Sequence, residues 1–151
     1  MTESETNLAK AQAIAHIGSW QCDLKKDWFY ASQELSRILG LENYGSDGLN
    51  YTLFVNNLFT NLIHPQDREL FKTANYQAFN NYESYELDYR LILPEQTIKY
   101  IHEQTEIVVD SQGKPVQIFG TIQDITEPQK MQMALKENEQ KLRNIVNNMT
   151  D

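Results

Sequence analysis

Gly120-Thr121-Ile122-Gln123-Asp124-Ile125-Thr126-Glu127-Pro128-Gln129 is the stretch on which the fold turns. The residues leading into it, Val116-Gln117-Ile118-Phe119-Gly120-Thr121-Ile122, alternate in the manner of a strand. From Lys130 onward the chain is charged and lacks both Gly and Pro, which predicts a helix. Thr126 and Gln129 have the spacing of a capping box, in which the hydroxyl accepts a first-turn N–H and the Gln amide reaches back. Glu127 and Pro128 then fall in the first turn, where a negative charge suits the helix dipole and a missing N–H costs nothing. A sheet that hands over directly to an outgoing helix is a mechanical output.

Upstream, Tyr85, Leu87, Tyr89 and Leu91 alternate with Glu86, Asp88 and Arg90, so one strand face is apolar. Pro94-Glu95-Gln96 turns the chain into a long strand from Thr97 to Val109, and Asp110-Ser111-Gln112-Gly113-Lys114-Pro115 turns it again. Nearer the N-terminus, residues 4–17 carry Leu8, Ala11, Ile14, Ala15 and Ile17 at helical spacing, with Gly18 as the stop. Ser19–Leu24 and Trp28-Phe29-Tyr30 read as a hairpin. Ser32 and Gly40 bracket a short helix with the stripe Leu35, Ile38 and Leu39. The loop from Glu42 to Asn50 precedes an apolar helical segment from Leu53 to Ile63. His64-Pro65-Gln66-Asp67 opens a longer helix with Phe71, Ala74 and Ala78 on one face, running to about Phe79. This order predicts an α+β fold: one five-stranded antiparallel sheet, short helices over one face, an N-terminal helix and a C-terminal output helix.

The chain of 151 residues suffices for one ordinary domain with an appendage. A net charge of -8 argues against nucleic acid and anionic membranes as partners. The single cysteine, Cys22, excludes an intrachain disulfide framework and fits a reducing, cytoplasmic setting. No apolar run approaches membrane-spanning length, and the acidic N-terminus is unlike a signal peptide. The last residues, Asn147 to Asp151, continue a helical pattern, which reads as a chain that leads into a further domain.

Six stretches in this order resemble a PAS domain with its C-terminal PAC segment, as found in bacterial and archaeal sensor kinases. They are Ile17-Gly18-Ser19-Trp20, Ser32 to Gly40, Ile63 to Arg68, Asp88-Tyr89-Arg90-Leu91, Asp110 to Pro115, and Gly120 to Glu127. Pro94-Glu95-Gln96-Thr97 departs from the more usual Asp-Gly hairpin, and a wider turn is expected there. Leu142 to Met149 resembles the helix that opens a following PAS repeat. The resemblance implies a flanking helix over residues 1–17, a PAS/PAC domain over 18–126 and an output linker over 127–151. It implies that Asp124 and Thr126, with Gln129, pin the last strand to the output helix and form a signal relay. The same bonds would serve a plain helix cap.

Met131, Leu135, Asn138, Leu142, Ile145 and Met149 are spaced by alternating steps of four and three. That is the seam of a heptad, with Asn138 as its polar, register-setting member. A parallel coiled coil in a homodimer follows; a helix packed on its own domain is the alternative. PAS folds often hold a cavity between sheet and helices. Phe54, Leu58, Phe71, Tyr89 and Phe119, with His64 as a polar handle, are the candidate lining for a small molecule; a core simply filled by aromatics is the alternative.

Cofactor chemistry finds little footing. Haem-binding PAS domains carry a ligand histidine in the long helix, and Arg68 to Phe79 contains none. Flavin-binding relatives need a cysteine on the short helices, whereas Cys22 falls on the first strand. His64 is expected to cap or pack, and His16 and His102 to lie on surfaces; no metal spacing is present. Gly45-Ser46-Asp47-Gly48 follows no strand and lacks the lysine of a phosphate loop. No nucleophile–base pair stands out. The expected function is therefore a non-enzymatic sensory and dimerisation module. It would relay a signal to an effector in the same chain, a histidine kinase first and a diguanylate cyclase second. A ligand-free spacer that only dimerises and relays motion is the rival.

Overall fold

The computed structural model describes residues 2–26, 28–40, 55–56 and 61–149. The expected loop at 42–50 and most of the apolar segment after it, with Phe54 and Leu58, lie outside those residues.

Five strands form one antiparallel sheet: β1 (Ile17–Asp23), β2 (Trp28–Ala31), β3 (Tyr85–Ile92), β4 (Ile98–Val109) and β5 (Pro115–Asp124). Their order is β2-β1-β5-β4-β3, so the first and last strands lie side by side at the centre. Four helices complete the described fold: α1 (Glu3–Ala15), α2 (Gln33–Leu39), α3 (Arg68–Asn81) and α4 (Thr126–Met149). The predicted α+β architecture is the observed one.

Strand parity decides the core. Trp20 and Cys22 of β1, Phe29 and Ala31 of β2, Tyr89 and Leu91 of β3, Ile101 of β4, and Ile118 and Ile122 of β5 all point to one face. Leu35, Ile38 and Leu39 of α2 and Phe71 of α3 cover that face. Ser32 caps α2, its hydroxyl accepting the Leu35 N–H at 3.2 Å, and Gly40 closes it.

Local expectations need correction at three places. α1 ends at His16, which takes the left-handed conformation at φ 56°, and Gly18 lies inside β1. The reason is pairing: Ile17 and Gly18 already sit opposite Gln123 and Ile122 of β5. The apolar stripe expected on α1 is not buried, and Ile14 is 81% exposed. Finally, the helix start at Pro65 is a 3-10 turn over Pro65–Asp67, after which α3 runs to Asn81 with Phe71 and Ala78 buried. The Pro94-Glu95-Gln96 connection is a three-residue loop with Gln96 at φ 65°, wider than a two-residue turn.

Candidate functional site

The junction between β5 and α4 is held by a compact set of hydrogen bonds. Asp124 ends β5 opposite Ile101 of β4, and its N–H donates to the His16 carbonyl at 2.9 Å. The Ile125 N–H donates to the Tyr100 carbonyl at 2.8 Å, and the Tyr100 N–H donates to the Thr126 hydroxyl at 3.0 Å. Thr126 in turn donates its N–H to Asp124 Oδ1 at 3.0 Å and its hydroxyl to the same oxygen. The N-terminal end of α4 is therefore fastened to β4, to β5 and, through His16, to the end of α1.

This geometry replaces the predicted capping box. The Gln129 N–H bonds the Ile125 carbonyl at 3.0 Å, which makes Ile125 the cap residue of α4. Asp124 supplies the carboxylate that takes the Thr126 N–H of the first turn. The Thr126 hydroxyl is engaged with the sheet and with Asp124, not with the first turn of its own helix. Asp124 and Thr126 thus form one junction, and Gln129 joins it through its backbone N–H.

Beside the junction is a cavity of about 190 Å³ lined in part by Asp67, Arg90, Tyr100, Ile125 and Gln129. Arg90 grips Asp67 with Nε on Oδ2 and a guanidinium amine on Oδ1, both at 2.9 Å, and with its backbone N–H at 2.8 Å. The Arg90 hydrogen bonds hold the Asp67 carboxyl below the usual carboxylate range, against the opposing effect of burial. The start of α3 is thereby tied to β3 close to where α4 leaves.

The candidate cavity residues separate. Phe71 and Tyr89 are buried and meet edge to face, with ring centroids 5.5 Å apart and planes at 68°. His64 caps the 3-10 turn, its Nδ1 accepting the Gln66 N–H at 3.1 Å. Phe119 does not line the interior. Its neighbours Ile118 and Gly120 point inward, so strand parity sends Phe119 to the opposite face, where it is 38% exposed. Phe54 and Leu58 fall outside the described residues.

A residue the sequence reading passed over occupies the interior instead. Glu103 of β4 is 2% exposed. Its Oε1 accepts the Tyr89 hydroxyl at 2.7 Å and its Oε2 the Thr105 hydroxyl at 3.0 Å. Ile101, Glu103, Thr105 and Ile107 alternate along one strand, and that period could have placed it inside. On the outer face His102 bridges two carboxylates, Asp88 at 2.5 Å and Glu86 at 2.8 Å.

None of Thr126–Met149 is buried. The residues of the expected seam, Met131, Leu135, Asn138, Leu142, Ile145 and Met149, all lie on exposed helix, with Met131 at 72% and Leu142 at 63%. No helix among the described residues is long and apolar enough to cross a membrane.

The comparisons with known proteins agree with this architecture. Residues 29–122 match the family described as the PAS fold, which is more than half of the chain. The hybrid signal transduction histidine kinase I of Dictyostelium discoideum is 27% identical over 124 residues, 82% of this chain and 7% of that protein. Sensor protein FixL of Bradyrhizobium diazoefficiens is 26% identical over 139 residues, 89% of this chain and 25% of that protein. The chain thus spans a quarter or less of the curated relatives it matches. Among solved structures, a sensory box histidine kinase/response regulator from Burkholderia thailandensis E264 superposes with a TM-score of 0.64 at 24% identity. That match covers 91% of this chain and 98% of the other. The five-stranded sheet, the helices packed on one of its faces and the family match together establish that the chain belongs to the PAS-fold family.

Proposed function

We propose that this PAS domain is a non-enzymatic sensory and dimerisation module whose output is α4. The observation that carries the reading is the junction: Asp124, Thr126 and Tyr100 join β4, β5 and the first turn of α4 through hydrogen bonds of about backbone length. A change in the register or twist of β4 against β5 would move the start of α4, since none of Thr126–Met149 is buried. Helix α4 then pairs with its counterpart in a second copy along Met131, Leu135, Asn138, Leu142, Ile145 and Met149, as a parallel coiled coil. The effector is a histidine kinase in the same chain, in keeping with the two relatives named as a histidine kinase and a sensor protein. The module works in the cytoplasm, its thiol reduced, and takes its input as a change within the sheet or its core.

The test is Asp124→Ala combined with Thr126→Ala in the protein joined to its effector. The expected result is a normal circular-dichroism spectrum with effector output fixed at one level whatever the stimulus. Regulated output from a normally folded double variant would refute the relay.

A further inference from the structure

The most unusual group in the interior is Glu103. It sits on the core face of β4 between Leu87 of β3 and Ile122 of β5 in the strand register. Its Oε1 accepts the Tyr89 hydroxyl of β3 at 2.7 Å and its Oε2 the Thr105 hydroxyl of its own strand at 3.0 Å, and the Tyr85 side chain of β3 hydrogen-bonds the carboxyl as well. The groups acting on the carboxyl are Tyr85, Tyr89, Thr105 and its own burial; no cation among the described residues is one of them. Among the described residues, the other elements packed here contribute uncharged groups: Ile122 and Gly120 of β5, Trp20 of β1, and Phe71 of α3, whose ring meets Tyr89. Gly120 admits Trp20 so closely that an added Cβ would lie 2.9 Å from the Trp20 ring and 3.0 Å from the Thr105 hydroxyl oxygen.

A carboxylate without a cation in such surroundings is costly, and burial of this kind favours the protonated form of a carboxyl. Burial accordingly pushes the Glu103 carboxyl up. The hydroxyls of Tyr85, Tyr89 and Thr105 suit either form: all can donate to the carboxylate, or one can rotate to accept from the acid while the others donate. The position matters as much as the chemistry. Tyr100, which holds Thr126, lies on the same strand, and Ile122, opposite Glu103, precedes Asp124 by two residues.

We propose that Glu103 is a proton-operated switch in the core, held as the neutral acid among the hydroxyls of Tyr85, Tyr89 and Thr105, whose ionisation shifts β4 against β5 and so moves the start of α4. The ligand sensed is the proton itself. The step is a simple ionisation: the Glu103 O–H bond breaks, its electron pair stays on the carboxylate, and the proton passes to solvent. For its output the proposal rests on the relay reading; the protonation of Glu103 stands apart from it.

The test follows both ends at once across mildly acidic to alkaline pH. Infrared spectroscopy reads the C=O stretch of a protonated carboxyl. Fluorine NMR reads a label on Lys130→Cys in the first turns of α4, a site that is exposed while Cys22 is 2% exposed. The expected result is a protonated-carboxyl band that disappears as pH rises, with the label signal shifting at the same midpoint. Glu103→Gln, which keeps the shape without the titration, should lose both. Tyr89→Phe, which keeps the ring against Phe71 but removes a donor to the carboxylate, should move the midpoint to higher pH, and it reads the same switch if Glu103→Gln does not fold. A label that titrates unchanged in Glu103→Gln would assign the shift to another group, with His102 on the opposite sheet face first in line, and overturn the proposal. So would the absence of the band at every pH. A band that titrates while the label stays still would overturn the switch and leave the relay reading standing.

Discussion

A methyl group on Gly18 would sit 2.5 Å from the Leu35 Cα and 2.8 Å from its N, inside the backbone of α2. That contact is what lets α2 lie flat on β1, and no rotamer change can relieve it. Gly18→Ala is therefore expected to destabilise the fold by about 2–3 kcal/mol, as overpacking against an immobile neighbour does; a denaturant midpoint equal to that of the unmodified protein would contradict it. His102 poses a different question at the same scale. Its hydrogen bond to Asp88 raises its pKa, burial opposes, and Glu86 adds to the rise. A histidine whose folded pKa lies above its unfolded value stabilises fully below the unfolded value, near 6.5, and loses that contribution as pH rises through the folded value. Thermal melts of the unmodified protein and His102→Gln should thus differ most at mildly acidic pH, converge on the alkaline side, and converge further in high salt because the carboxylates are exposed. A gap that widens with pH would reverse the assignment.

Among the elements, α4 makes the sharpest prediction. A parallel coiled coil brings Leu142 of one copy against Leu142 of the other. Leu142→Cys should cross-link to itself rapidly under mild oxidation, and Glu139→Cys, off the seam, far more slowly. Equal rates at the two positions would rule out the pairing. Helix boundaries and strand faces were mostly legible in the sequence. Ser32 and Gly40 bracket α2, and the alternation from Tyr85 to Leu91 assigns the core side of β3 correctly. What escaped was decided by contacts far apart in sequence. The spacing of Thr126 and Gln129 is that of a capping box, but the Thr126 hydroxyl accepts from the Tyr100 N–H, 26 residues upstream. Phe119 drew attention as an aromatic, whereas parity with Ile118 and Ile122 places it outside. Glu103 was legible by the same parity and was overlooked because a carboxylate is expected on a solvated face. Family resemblance points to Asp124 and Thr126 at the junction but not to their partners Tyr100 and His16, which contribute only backbone groups.

At the level of the whole molecule, the first and last described helices converge on one residue. Asp124 gives its N–H to the carbonyl that ends α1 and its carboxylate to the first turn of α4. The antiparallel neighbours β1 and β5 begin and end at this residue, Ile17 lying opposite Gln123, and the core covers their inner face. The central claim is that α4 is coupled to the sheet at this junction. Amide hydrogen exchange of the unmodified chain and of Asp124→Ala with Thr126→Ala tests it most directly. Loss of a helix cap costs about 1 kcal/mol, so exchange in the first turns of α4 should rise about fivefold, as should that of the Tyr100 N–H that loses its Thr126 acceptor, with β1, β5 and the rest of β4 unchanged. Unchanged exchange in those turns, or an equal rise across the central strands, would contradict the coupling.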